Sequence, residues 1–170
     1  MATKTAPKVA DETTPKPLCD NLCWLLSRAS YTLTTELTAA LEDLGISPRA
    51  HAVLAAAATG TYTQTELART VGLDKTTMVV TLDELEAAGV AERRPSPSDR
   101  RARVIAVTRG GERLLQQAEA ISDAIRRDVL RALDPGEREI FVAALTKLVS
   151  DRLAEPVECA HPVRRRAPRG

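Results

Sequence analysis

TQTELARTVGLDKTTMVVTLDELEAAGV, residues 63–90, runs directly into AERRPSPSDRRARVIAVT, residues 91–108. Thr63 followed three residues later by Glu66 is a capping-box pattern, which satisfies two orphan N–H groups and starts a helix. Leu67, Ala68 and Val71 give that helix one apolar side. Gly72 suits the left-handed conformation that closes a helix, and Asp74 is an N-cap for a second one. Two helices joined by so few residues form a helix-turn-helix.

On a wheel of about 100° per residue, Met78, Leu82 and Leu85 share a face that must be buried. Thr76, Val80 and Ala87 point away from it, with Lys75, Val79 and Asp83 on the flanks. An ordinary solvated face would carry Glu, Lys or Gln there. Threonine hydroxyls suit phosphates or base edges, and small methyl-bearing side chains suit the thymine C5 methyl of a major groove. The alternative is that Val79 and Val80 pack against a neighbouring helix.

From Val90 to Thr108 the pattern alternates, with Val104, Ala106 and Thr108 opposing Arg101, Arg103, Ile105 and Val107. Pro95-Ser96-Pro97-Ser98-Asp99 between the two runs is turn chemistry. Arg93, Arg94, Arg100, Arg101 and Arg103 crowd this hairpin against only Glu92 and Asp99. A charge run is usually a solvated face, but arginines on a two-stranded ribbon beside a recognition helix suit phosphates and a minor groove. Arg93, Arg94, Ser98, Asp99, Arg100 and Arg101 are therefore candidate DNA contacts, with Asp99 expected to orient an arginine.

The order of elements, the phrase LDKTTMVVTLDELEAAGVAERR, the DRRARVIAVT ribbon and the Thr-x-Gly step at Thr108 to Gly110 resemble the MarR family of bacterial transcription regulators. The similarity covers nearly all of residues 18–153. It implies a mainly α fold with a small β-wing, a winged helix-turn-helix flanked by long N- and C-terminal dimerisation helices. It also implies that the second helix enters the major groove and a wing arginine the minor groove. By position those roles fall on Lys75, Thr76, Thr77, Val79, Val80 and Thr81, and on Arg100 or Arg101. Val80 stands where many members carry arginine, so the residue that reads guanine stays open.

Length and composition frame this. A chain of 170 residues is one domain with tails. Its formal net charge is +1, so affinity for DNA must come from local asymmetry. Aromatics at 2% are too few for single-strand stacking platforms, which favours duplex DNA over RNA. No apolar run approaches a membrane span and no signal-peptide pattern opens the chain, so a cytoplasmic location and thiol cysteines are expected.

Residues 1–17, rich in Thr, Pro, Lys and Ala, read as a disordered arm. Residues 18–155 form the domain, with a DNA-binding lobe over about 47–108 and dimerisation helices over about 18–44 and 109–154. Apolar residues from Leu18 to Leu44 repeat as one helix of about seven turns. Ser47-Pro48 starts another helix, and its alanine run Ala55 to Ala58 suits close packing. Asp134-Pro135-Gly136-Glu137 starts the last. The terminal helices carry apolar stripes too large for a small domain to cover, so a homodimer is expected, placing two recognition helices about 34 Å apart on an inverted repeat. Residues 156–170, with Arg164, Arg165, Arg166 and Arg169, read as a basic tail.

A signal has two candidate entrances. LCDNLCWLLSRAS is similar to the first helix of the peroxide-sensing OhrR branch of MarR proteins, and Cys23 falls on its sensing position, with Cys19 one turn before. Ser27 and Leu37 stand where that branch has aromatics, and a buried structural cysteine is the other possibility. The resemblance also implies a small-molecule cleft, for which Trp24, Arg28 and His51 are candidates. Cys23 with His51 would be the sole nucleophile–base pair for a hydrolase, and no orienting acid, phosphate loop or metal-ligand spacing accompanies it. Catalysis, a cofactor and a metal are therefore not expected.

Overall fold

The computed structural model describes residues 16–96, 99, 102–155 and 157. The expected arm up to residue 15, Pro97, Ser98, Arg100 and Arg101, and the tail at residues 156 and 158–170 lie outside the described residues. Two compact units are distinguished, Met1–Asp128 and Val129–Gly170.

The first unit runs α1 (Lys16–Cys19), α2 (Leu22–Ala40), a 3-10 turn (Glu42–Leu44), α3 (Pro48–Ala58), β1 (Tyr62–Thr63), α4 (Gln64–Val71), α5 (Lys75–Ala87), β2 (Ala91–Pro95), β3 (Arg103–Val107) and most of α6 (Arg109–Leu130). The expected single helix over residues 18–44 is corrected to three pieces. Asn21 breaks it, because its side chain accepts the Trp24 N–H at 2.9 Å and caps a new helix. The apolar spacing carries across that break, which is why the period alone does not reveal it.

Ser47 caps α3 by accepting the Ala50 N–H at 3.1 Å, with Pro48 in the first turn where its missing N–H costs nothing. The helix buries Ala50, Val53, Leu54 and Ala57, and α2, α4, α5 and β3 all pack against it. The core around it adds Leu41, Leu67, Met78, Leu82, Leu85, Ile105 and Leu115.

The sheet has the order β1-β3-β2, all antiparallel. β1 is an addition to the expected two-stranded ribbon, and its two residues are too few to show a period. Simple alternation along β3 also fails, since Val104 and Ile105 are both buried. Ile105 faces the helical core, while Val104 is flanked in register by Thr63 and Arg94.

Thr108 ties the ribbon to α6. Its hydroxyl donates to the Gly89 carbonyl at 2.8 Å and accepts the Gly111 N–H at 3.0 Å. A Cβ on Gly111 would lie 2.0 Å from the Val90 carbonyl oxygen and 2.8 Å from Val107 Cγ1. Only a bare α-carbon lets α6 approach so closely.

In the second unit, α7 (Pro135–Ser150) begins with the Asp134 N–H donating to Glu137 Oε2 at 2.9 Å. Ile140, Phe141, Leu148 and Val149 on this helix are exposed. Among the described residues no helix is long and apolar enough to cross a membrane.

Gly111→Ala should lower unfolding stability by about 2 kcal/mol or more, because backbone rather than a flexible side chain opposes the new methyl. Denaturant melts of the two proteins check this; coincident midpoints would show that α6 does not seat on Val90 as described.

Candidate nucleic-acid interface

The helix-turn-helix is built from caps. Thr63 and Glu66 form the reciprocal box: the Thr63 N–H donates to Glu66 Oε2 at 2.7 Å and the Glu66 N–H to Thr63 Oγ1 at 3.3 Å. Gly72 ends α4 at φ 67°, where a β-carbon would be strained. Asp74 then accepts the Thr77 N–H at 2.9 Å and the Thr77 hydroxyl at 2.6 Å, opening α5.

Met78, Leu82 and Leu85 are buried as the wheel requires. Lys75 and Thr76 are exposed, Val80 is 47% exposed, and Val79 is half-buried. Two assignments made by resemblance change. Thr81 is fully buried and its hydroxyl donates to the Thr77 carbonyl at 2.8 Å, so it is a core residue and cannot touch DNA. It sits about 60° from Met78 on the wheel, inside the buried arc. The Thr77 hydroxyl is engaged by the cap. The outward surface is thus Lys75, Thr76 and Val80, with the edge of Val79.

The ribbon divides its cations. Arg93 does not face outward: its Nη2 donates to Asp83 Oδ1 at 2.8 Å, its Nη1 to Glu86 Oε2, and its backbone N–H to Glu86 Oε1 at 2.7 Å. Its charge is thus met by two carboxylates of α5. Those acids were not among the sequence candidates, although they lie three apart and so share a helix flank. Arg94 is exposed and pairs with Glu92, an exposed ion pair of small energetic worth that leaves its charge available. Arg103, opposite Pro95, is also exposed. Asp99 closes the turn, its carbonyl accepting the Ala102 N–H at 3.0 Å. Arg100 and Arg101, like Ser98, lie outside the described residues.

The signal candidates lie on α1, α2 and α3. Cys19 ends α1, half-buried, and Cys23 is exposed in the first turn of α2, so the helix break separates them and no disulfide joins them. Trp24 is half-buried and Arg28 exposed. His51 is half-buried with a shielded Nε2 that has no partner among the described residues. Burial pushes its pKa below the ordinary histidine value, partly opposed by Glu119. A cavity of about 620 Å³ lies elsewhere in the first unit, walled by Ile46, Ala50, Glu84, Leu85, Val90 and Arg113 among others, and none of these five candidates lines it.

The MarR family model matches residues 44–102. A MarR family protein from Mycobacterium tuberculosis, solved in complex with p-aminosalicylic acid, is 30% identical over 75% of this chain and 98% of its own, with a TM-score of 0.64. This chain belongs to the MarR family. CouR from Rhodococcus jostii, bound to p-coumaroyl-CoA, is likewise 30% identical, covering 85% of this chain and 99% of that one with a TM-score of 0.72. The transcriptional repressor CouR bound to a 23-mer DNA duplex matches at 26% identity, 82% of this chain, 99% of that one and a TM-score of 0.73. Family and fold make this MarR chain a DNA-binding regulator, with α4 and α5 as its helix-turn-helix and the β2–β3 ribbon as its wing.

The caps give this MarR chain an acid-sensitive helix-turn-helix. Hydrogen bonds from Thr63 hold Glu66, and those from Thr77 hold Asp74, below their ordinary carboxyl pKa values. A depressed folded-state pKa adds stability that is fully present above the unfolded value and is lost as pH falls through the folded one. Between about pH 5 and pH 2 the wild type should therefore lose more stability than Glu66→Gln/Asp74→Asn. Parallel acid-dependent melts for both would remove the caps as the cause.

Proposed function

We propose that this chain is a repressor that binds an inverted-repeat duplex as a homodimer and leaves it when a small organic effector binds. The observation that carries this is the sidedness of α5: Met78, Leu82 and Thr81 are wholly buried, while Lys75, Thr76 and the 47% exposed Val80 face outward without a carboxylate among them. Such a surface suits a major groove, where a lysine meets phosphate, a hydroxyl meets a base edge and valine methyls meet thymine. Arg94 and Arg103 on the wing supply local positive charge to a nearly neutral chain, and Arg100 and Arg101 add to it in sequence. The DNA-bound CouR structure supports this mode of action.

Dimerisation follows from unpartnered apolar surface. On α2 Leu22, Leu25 and Leu33 are exposed, and on α7 Ile140 and Phe141 are 70% and 49% exposed. Exposed patches of this kind mark association surfaces. The effector is supported by relatives holding p-coumaroyl-CoA and p-aminosalicylic acid. Trp24, Arg28 and His51 remain its proposed contacts.

Val80→Glu and Arg94→Ala are expected to weaken binding to the DNA upstream of the protein's own coding sequence, by at least about tenfold for Val80→Glu and severalfold for Arg94→Ala, with unchanged melting. Fluorescence anisotropy of a labelled duplex measures this, and full affinity in Val80→Glu would remove α5 from the interface. Ile140→Glu/Phe141→Glu should give a monomer by sedimentation and lose operator binding. A dimer that survives the double substitution would place the interface elsewhere.

A further inference from the structure

Arg93 makes two kinds of contact with one partner. Glu86 receives both its backbone N–H, at 2.7 Å, and its Nη1, while Asp83 receives Nη2 at 2.8 Å. The bond to the backbone fixes where β2 runs, and the guanidinium fork fixes its direction relative to α5. The Arg93 and Glu86 side chains are 25% and 32% exposed, so water screens them less than it does Arg94 and Glu92 at 59% and 44%.

The sign of the charges makes the arrangement informative. Asp83 and Glu86 carry two negative charges on the proposed recognition helix, and Arg93 returns only one positive charge. Beside a polyanion, that local balance opposes binding. A helix selected only for attraction to phosphate would carry neither acid. We propose that Arg93 is a positioning residue and not a phosphate contact: the Asp83–Arg93–Glu86 clamp holds the wing at the angle to α5 at which both engage one duplex. This rests on α5 and the β2–β3 ribbon being the DNA-binding surface.

The clamp and a purely electrostatic role give opposite expectations. If charge alone matters, Glu86→Ala removes a repulsive carboxylate and tightens DNA binding, and Arg93→Lys changes nothing. If the clamp positions the wing, Glu86→Ala weakens binding despite removing negative charge. Arg93→Lys weakens it too, because one ammonium on a flexible stem does not bridge two carboxylates as a fork does. The full chain would be titrated with a labelled duplex from upstream of its own coding sequence and with a scrambled duplex, with thermal melts of each variant alongside. We expect each variant to lose about fivefold or more in affinity for the upstream duplex and less for the scrambled one. Unchanged or tighter binding by Glu86→Ala, or wild-type affinity in Arg93→Lys, overturns the proposal. Should Glu86→Ala melt too early to titrate, Glu86→Gln removes the charge and keeps an acceptor for the Arg93 N–H, and the same criteria apply. Amide hydrogen exchange over residues 91–95 reads the clamp without DNA. Faster exchange in Glu86→Ala is expected even if no duplex binds, in which case the DNA reading fails and the clamp stands; unchanged exchange overturns the clamp itself.

Discussion

Everything on the proposed DNA surface depends on how α5 is rotated about its own axis. Met78, Leu82 and Leu85 sink into the core against α3 and α4, and burying each such side chain contributes about 1.5–3 kcal/mol. A shift of one residue would swing the helix by about 100° and expose all three. No surface contact of about 1 kcal/mol competes with that. Thr81 reinforces the rotation, because its hydroxyl bonds within the helix at Thr77 and so enters the core without an unpaired polar group. Lys75, Thr76 and Val80 face outward because the apolar face is anchored.

Much of this was legible in the sequence because caps and periods are local. Thr63 with Glu66, Asp74, Ser47-Pro48 and Asp134-Pro135 each announce a helix within four residues, and each helix begins there. What was not legible depends on contacts between elements or on very short ones. β1 has two residues, and Asn21 interrupts α1 and α2 without disturbing a four-residue apolar spacing. Arg93 looked like its neighbours in sequence. Whether a guanidinium meets phosphate or carboxylate depends on which face of the strand it occupies and what the adjoining helix presents there. Thr81 was carried along by a family correspondence that runs through consecutive positions, whereas burial on a helix changes with every residue.

The charge on α5 is distributed along its length. From Lys75 to Leu82 it carries one cation and no acid, and from Asp83 to Glu86 three acids and no cation. Acids near a helix C-terminus meet the unfavourable end of the macrodipole, so dipole energetics do not explain their place. The contact to Arg93 explains two of them: Asp83 and Glu86 fasten the wing. The polarity that results favours presenting the N-terminal half of α5 to a polyanion and holding the other half away from it, so one set of residues shapes both the structure and the approach.

The far end of α5 is fastened as firmly. Gly89 turns at φ 68°, the Val90 N–H donates to the Leu85 carbonyl at 3.0 Å, and the Thr108 N–H donates to the Val90 carbonyl at 3.1 Å. Gly111 then brings α6 against that same carbonyl. The end of α5, the wing root and the start of α6 therefore meet at Val90. The missing β-carbon on Gly111 is what lets α6 lie this close to Val90. Val90 in turn follows the end of α5 and directly precedes the first residue of the wing. The Val90 carbonyl, the Thr108 hydroxyl on the Gly89 carbonyl and the short step from β3 thus join α6 to both proposed DNA-contacting elements.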